Sequence, residues 1–311
     1  MTAAPVTAAA AGGLVPLISP TASSSALSDA SKFPSFFRTN SPDAAQAQAM
    51  VDIAASLIGP TGTIKTASII SDVSLYSQDF AANIASLLPA AGIELVTLES
   101  VGSEDDVGIL NTLSKSAIAP SMGSIVEAGA DVVFNVMREC SSSKVMQEAA
   151  MEAGGSGLLW IDTAANTRAS CLPEGFDGSI FAPSVREGTG PVHDVLVRLW
   201  EERAKTTCDG GPLIVYDEDA FDAVLAIAVA IRSILDAGES VSGEAIAATW
   251  SDPNFVFEGS TGTVQFGGDG SASYGPHDRV IPYDIIWLVN GTFSTIGTWN
   301  AGDGVTFLGE P

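Results

Sequence analysis

The chain has 311 residues, enough for about two domains of ~150 residues each. Hydrophobic residues make up 46% of it, so a sizeable core can be buried and wholesale disorder is excluded. The net charge is −24, and from position 206 onward fifteen acidic residues stand against two basic ones, Arg232 and Arg279; such a surface repels phosphate backbones and anionic headgroups, which argues against nucleic-acid and peripheral membrane partners and for solubility.

Residues 1–13 are Ala-rich and read as the tail of a helix ended by Gly12-Gly13. They lack a basic start and a long apolar stretch, so no secretory signal is expected in this chain. A strand is expected over 15–19, then a hydroxyl-rich loop through Thr21-Ala22-Ser23-Ser24-Ser25, then a second apolar strand around Phe36-Phe37-Arg38. Asp43 caps a helix to about position 58, with Ala47, Met50, Val51 and Ala54 at helical spacing. Gly59-Pro60-Thr61-Gly62-Thr63 breaks the chain and is read as the first crossing between lobes.

A βα alternation follows, the pattern of a parallel sheet with covering helices. Strands are expected over 66–70, 93–98, 131–137, 157–162 and 179–182. Helices are expected over 78–90, 142–152 and 191–205, with helical segments between 104 and 127 that Pro120 interrupts. The Gly-rich stretch 206–213 is read as the return crossing. The next helix opens in the acidic turn Asp217-Glu218-Asp219 and should bury Phe221, Val224, Leu225, Ala228 and Leu235 on one stripe. Its apolar run is interrupted by Asp222 and Arg232 and is too short to span a bilayer, so no direct membrane insertion is expected. A short helix over 243–250 precedes strands over 255–257, 263–266, 283–289 and 293–299, the last two joined by a tight Asn290-Gly291 turn. With a third crossing near 255–262, lobe 2 comprises 64–206, and lobe 1 comprises 1–63 and 207–311.

The chemistry-bearing residues favour binding over catalysis. Loops at strand ends that offer hydroxyls, backbone N–H groups and a carboxylate suit a zwitterionic ligand. His193 and His277 lie at a helix start and in a loop with no Cys or Ser motif beside them, and no nucleophile elbow, phosphate loop or dinucleotide fingerprint occurs. The expectation is therefore a non-enzyme without a cofactor or metal. Cys140, Cys171 and Cys208 have no zinc-ligand spacing; Cys171 and Cys208 could pair in an oxidising compartment, or all three could be idle thiols. Asn290-Gly291-Thr292 fits a glycosylation sequon, but the hairpin turn explains the same residues more economically.

Four segments in order carry a family resemblance. They are the opening from Val15 to Gln46, Phe221-Asp222-Ala223-Val224, the run Phe257-Glu258-Gly259-Ser260-Thr261-Gly262-Thr263-Val264-Gln265-Phe266, and Gly291-Thr292-Phe293-Ser294-Thr295-Ile296-Gly297-Thr298-Trp299. Together they resemble the receptor ligand-binding region of natriuretic-peptide, metabotropic glutamate and GABA-B receptors, on the type I periplasmic binding protein fold, with similarity also to leucine/isoleucine/valine-binding proteins. The resemblance implies an α/β, two-lobed protein, each lobe a parallel sheet flanked by helices. Lobe 1 is expected to lack its first three strands, as in an N-terminally truncated chain.

It also implies a site. Thr21, Ala22 and Ser23 match the loop that holds a ligand's α-carboxylate and α-amine, and Asp43 matches an amine-binding aspartate, here in the order Ser41-Pro42-Asp43. Tyr76 matches an aromatic that closes over the ligand from lobe 2, with Ser77 where the family usually has Gly. Asp162, at a strand end, matches a second amine-binding aspartate. Each has a plainer reading: a polar turn for the serines, a helix cap for Asp43, packing on the following helix for Tyr76, a turn cap for Asp162. The implied function is a receptor or solute-uptake module, extracellular or periplasmic and membrane-attached if part of a larger receptor. It would close on a small polar, amino-acid-like ligand, with a possible homodimer through lobe 1. An enzyme on an α/β scaffold and a non-binding, dimerising ectodomain are the alternatives.

Overall fold

The computed structural model describes residues 14–59, 62–102, 113–138, 140–155, 157–164, 179–207, 213, 215–267 and 274–309. The chain forms two compact units, Met1–Pro42 with Arg186–Ile281 and Asp43–Val185 with Pro282–Pro311. The first unit opens with strands β1 (Leu17–Ser19) and β2 (Phe36–Arg38). The second follows with α1 (Asp43–Ser56), β3 (Ile58–Gly59), β4 (Gly62–Thr63), β5 (Thr66–Asp72), α2 (Leu75–Leu87) and β6 (Glu94–Val101). It continues through α3 (Lys115–Ala128), β7 (Val132–Val136), α4 (Cys140–Glu152), β8 (Leu159–Asp162) and β9 (Ile180–Val185). The first unit resumes with α5 (Pro191–Thr207), α6 (Val215–Asp236), α7 (Gly243–Trp250), β10 (Val256–Gly259) and β11 (Gly262–Gln265). The second closes with β12 (Tyr283–Val289), β13 (Thr292–Asn300) and β14 (Gly304–Phe307).

The second unit is built on an eight-stranded sheet in the order β14-β13-β12-β9-β8-β7-β5-β6. Strands β6, β5, β7, β8 and β9 are parallel, and β12, β13 and β14 are added antiparallel on the β9 side. β7 reads Val-Val-Phe-Asn-Val and is buried throughout, because helices cover both faces and leave no polar side to the strand. Ile70, Val133, Trp160, Ile180 and Leu288 pack with Met122, Ile125 and Met146 of α3 and α4. Successive side chains alternate in direction, so the opposite face meets α1 and α2. Asn290 and Gly291 take positive φ (53° and 71°), as a two-residue hairpin turn demands.

In the first unit β1 and β2 pair in parallel, and β10 and β11 form an antiparallel ribbon. Their core is aromatic. The Phe37 ring lies 5.1 Å from Trp250 and 5.4 Å from Phe266, edge to face in both cases, with Ala226, Ala230, Ala247 and Val264 filling between. Edge-to-face pairs add about 0.5–1.5 kcal/mol beyond their buried area.

Several expectations need correction. The units change after Pro42, Val185 and Ile281 instead of near 59–63, 206–213 and 255–262. The reasons are local: α1 packs on α2 and β12 pairs with β9, while the Gly-Pro-Thr-Gly break begins and ends in a β3–β4 hairpin, with Gly59 opposite Gly62. Most of 206–213 lies outside the described residues, as do Cys171 and Cys208. Pro120 sits inside α3 without ending it; its exposed position lets water serve the carbonyl its missing N–H leaves free. On α6 the buried stripe is Ala223, Ala226, Ala230 and Ile234, whereas Val224 and Leu235 are 64% and 56% exposed. The helix is apolar nearly all round, so periodicity did not choose a face; the small alanines win because Trp250 lies against the backbone there, its Nε1 donating to Ala226 O at 3.1 Å.

This packing predicts opposite responses on one helix. Ala226→Leu should destabilise by about 1–3 kcal/mol through overpacking, whereas Val224→Ser should stay within about 0.5 kcal/mol of wild type. Urea unfolding midpoints of the two variants check both values.

Candidate functional site

The hydroxyl loop begins where β1 ends. Ser19 Oγ accepts the backbone N–H of Thr21 (3.3 Å) and of Ala22 (3.0 Å), folding the chain back over the strand end. A single 3₁₀ turn over Ser25–Ser28 follows, with Leu27 N–H donating to Ser24 O at 3.1 Å. Beneath the loop lies the guanidinium of Arg38, fully buried at the end of β2. Its Nε donates to Asp278 Oδ1 at 2.6 Å, its Nη1 to the carbonyls of Ala22 and Ser24, both at 3.1 Å, and its Nη2 to Ser28 Oγ at 2.9 Å. Asp278 Oδ2 in turn accepts Ser28 Oγ (2.6 Å) and Gly275 N–H (2.9 Å). A Cβ at Gly275 would stand 2.3 Å from the Ser28 carbonyl, so only glycine allows this approach. Beside the pair, His277 stacks on Phe37 at 4.3 Å, and burial lowers its pKa, favouring the neutral imidazole.

Thr21 is exposed and Ala22 and Ser23 are half-buried. Ala22, whose backbone was expected to face a ligand, donates its N–H to Ser19 Oγ and accepts Arg38 Nη1 at its carbonyl. Thr21 and Ser23 each bring a hydroxyl to the loop.

The other expected residues belong to the second unit. Asp43 is buried and opens α1, where its charge complements the helix dipole. Tyr76 is the second residue of α2, and its ring packs edge to face on Phe80 at 5.7 Å. The turn ahead of it is tied at both ends: Asp72 Oδ1 accepts Ser74 N–H (2.8 Å) and its Oδ2 the Arg138 N–H (2.7 Å), while Ser74 Oγ accepts Ser77 N–H (3.2 Å). The Ser77 hydroxyl pairs with that of Ser74 at 3.0 Å.

Asp162 ends β8 inside a polar cluster built at the strand ends and the start of α4. Its Oδ1 accepts Asn135 Nδ2 (3.0 Å) and its Oδ2 accepts Gln147 Nε2 (3.2 Å); Asn135 Nδ2 also bonds Ser143 Oγ. Burial pushes the Asp162 carboxyl up to about 7, against the lowering effect of the Asn135, Gln147 and Ser143 hydrogen bonds. Gln147 Oε1 and Thr163 Oγ1 are buried with no hydrogen-bond partner among the described residues. Turning the Gln147 amide end for end would let Oε1 accept the proton of a neutral Asp162.

Two family motifs prove to be halves of one contact in the first unit. Asp222 Oδ1 accepts Ser260 N–H, and its Oδ2 accepts the N–H and hydroxyl of Thr261. A Cβ at Gly259 would lie 2.6 Å from that carboxylate, so the glycine is required. Arg279 Nη1 reaches Asp222 Oδ2 at 3.4 Å and Thr39 O at 3.2 Å. Neighbouring Asp219 is pushed up to about 7 by burial, with Arg279 opposing and Asp222 and Glu218 adding to the rise.

The fold also brings His193, Glu218 and Ser260 together, which sequence order did not suggest. His193 Nδ1 lies 3.0 Å from Glu218 Oε1 and 3.4 Å from Ser260 Oγ. A nucleophile relay needs the acid on one ring nitrogen and the hydroxyl on the other. Here both share Nδ1, so the arrangement holds the chain and does not activate the serine. Glu218 Oε2 accepts Gly188 N–H at 3.1 Å, and burial raises the pKa of this carboxyl.

The architecture is that of the type I periplasmic binding protein class: α/β, with a large, mostly parallel sheet flanked by helices. The chain belongs to the receptor family ligand binding region, which it matches over residues 1–276. This family is a ligand-binding, generally non-enzymatic module. No curated protein matches the chain significantly. None of the described helices is long and apolar enough to cross a membrane.

The buried acid generates a pH prediction. The native-state pKa of Asp162 is raised above its unfolded value of about 3.9, so its stabilisation is fully present below pH ~4 and is lost as pH rises through about 7. Asp162→Asn, which keeps the shape and can donate to Gln147, should melt several degrees higher than wild type at pH 8. Below pH ~4, where both states hold the proton, the two should nearly coincide. Melting curves of both proteins from pH ~3.5 to 8 test the sign.

Proposed function

We propose that this chain is the small-ligand-binding module of a cell-surface receptor or solute-uptake system, working in an extracellular or periplasmic compartment. Its two units act as the lobes of a hinged clamp that closes on a small polar ligand. It needs no cofactor and performs no catalysis. The ligand is an α-amino acid or a related amine, held first by the hydroxyl loop and then capped from the second unit. Dimerisation through the first unit belongs to the same proposal.

The observation that carries this reading is the hydroxyl loop at the end of a parallel strand. Thr21 and Ser23 stand on a backbone whose carbonyls are tied down from below by Arg38. A ligand therefore meets hydroxyls whose ordering cost was met on folding. Asp43, at the start of α1, supplies the carboxylate for an ammonium group, and Tyr76 an aromatic face for a cation–π contact. Asp162 is the least available of the set, since its oxygens already accept two amide N–H groups; a ligand would have to displace one of them.

Calorimetric titration with the twenty standard L-amino acids tests the reading. A cognate ligand at 100 times its Kd should also stabilise the protein by about 2.7 kcal/mol in a thermal shift. Asp43→Ala should weaken binding by roughly tenfold or more, the loss of one charge-assisted hydrogen bond. Binding that survives this substitution unchanged removes Asp43 from the site, and no shift with any amino acid favours a non-binding ectodomain.

A further inference from the structure

We infer that Arg38 is the positioning residue of the ligand loop: its guanidinium turns two loop carbonyls inward and thereby directs the Ser23 backbone N–H outward. This goes beyond the proposed function but rests on its reading of Thr21 to Ser23 as a ligand loop. The carbonyls of Ala22 and Ser24 converge on the same nitrogen, Nη1, both at 3.1 Å. A trans peptide is planar, with its C=O and the following N–H pointing in opposite directions. Drawing the Ala22 carbonyl down therefore points the Ser23 N–H away from the guanidinium, on a half-buried residue that also carries a hydroxyl. One residue thus presents two donors, which suits the anionic end of a zwitterion.

The arrangement needs arginine specifically. The planar fork serves four acceptors on three nitrogens, two carbonyls, one hydroxyl and the Asp278 carboxylate. A lysine ammonium is a single point with three donors and cannot span them. Asp278 makes the burial tolerable by neutralising the charge, and it holds Ser28, at the far end of the loop, with its second oxygen. The loop is gripped at Ala22, Ser24 and Ser28, and left open at Thr21 and Ser23.

Amide hydrogen exchange on the full chain tests this without any ligand. In Arg38→Lys, protection of the Thr21, Ala22 and Leu27 amides should fall tenfold or more, while that of α1 and β7 is unchanged. Ser28→Ala, which removes one contact and leaves the ion pair, should give a smaller loss at the same amides; it carries the test if Arg38→Lys does not fold. Unchanged loop protection in the folded variants overturns the inference, as does a uniform loss throughout the first unit. Titration with the twenty L-amino acids then addresses the functional reading separately. If the wild type binds one, a loosened loop should weaken it tenfold or more. A loosened loop with undiminished affinity, or a wild type that binds none, refutes the ligand-loop reading and leaves Arg38 as its organiser.

Discussion

Burying a guanidinium costs several kcal/mol of desolvation unless every donor finds a partner. In the first unit the surroundings of Arg38 go most of the way, with a partner on every nitrogen. Asp278 supplies the charge, Ser28 a hydroxyl, and the loop itself two carbonyls. The dependence runs both ways, because the loop is mostly hydroxyl-bearing and small residues and is held at Ala22, Ser24 and Ser28 by the cation. Phe37, one residue earlier, joins the aromatic cluster that fixes β2. A single strand thus carries an anchor in the core on one face and a template for the loop on the other.

Burial raises the pKa of acids in both units, Asp219 and Glu218 in the first and Asp162 in the second, but their neighbours differ. Around α6 the carboxylates of Glu218 and Asp222 are bonded to backbone N–H groups of Gly188, Ser260 and Thr261, with His193 beside Glu218 and Arg279 beside Asp222. That network stitches a helix to two separate loops, and its glycines are fixed by close approach rather than by turns. In the second unit Asp162 has amides and a hydroxyl for neighbours and no cation among the described residues, so burial favours its neutral form. A surface with net charge −24 leaves few counterions for such a group, and neutralisation is the economical solution.

The fold was legible where one physical rule dominated. A parallel strand such as β7, buried throughout, leaves a mostly apolar run, and Asn290-Gly291 has few conformational options. Where two faces of an element were equally apolar the pattern was silent, as on α6, and tertiary packing on Trp250 decided. Glycine and proline breaks marked irregular backbone but not which unit a segment joins, which depends on pairing as remote as β9 with β12. At the candidate site, the hydroxyl loop and Asp43 stand out by their order along the chain. Arg38 left a faint signal, a charge ending an apolar strand. Gln147 and Asn135 left none, because a buried amide looks like any other until its partners are known.

Arg38 and Asp278 lie 240 positions apart in the chain. During synthesis, at ~5–20 residues per second, the loop's cation therefore emerges many seconds before its counterion exists. Throughout that interval β1 and β2 hold exposed aromatic surface and an uncompensated charge, and neither can settle until the last quarter of the chain is delivered. The second unit's parallel strands, by contrast, emerge as one uninterrupted run. Newly made protein should consequently pass through a state in which that sheet is formed while the loop is still unstructured, a window in which the nascent chain is most exposed to proteolysis and to holdase chaperones.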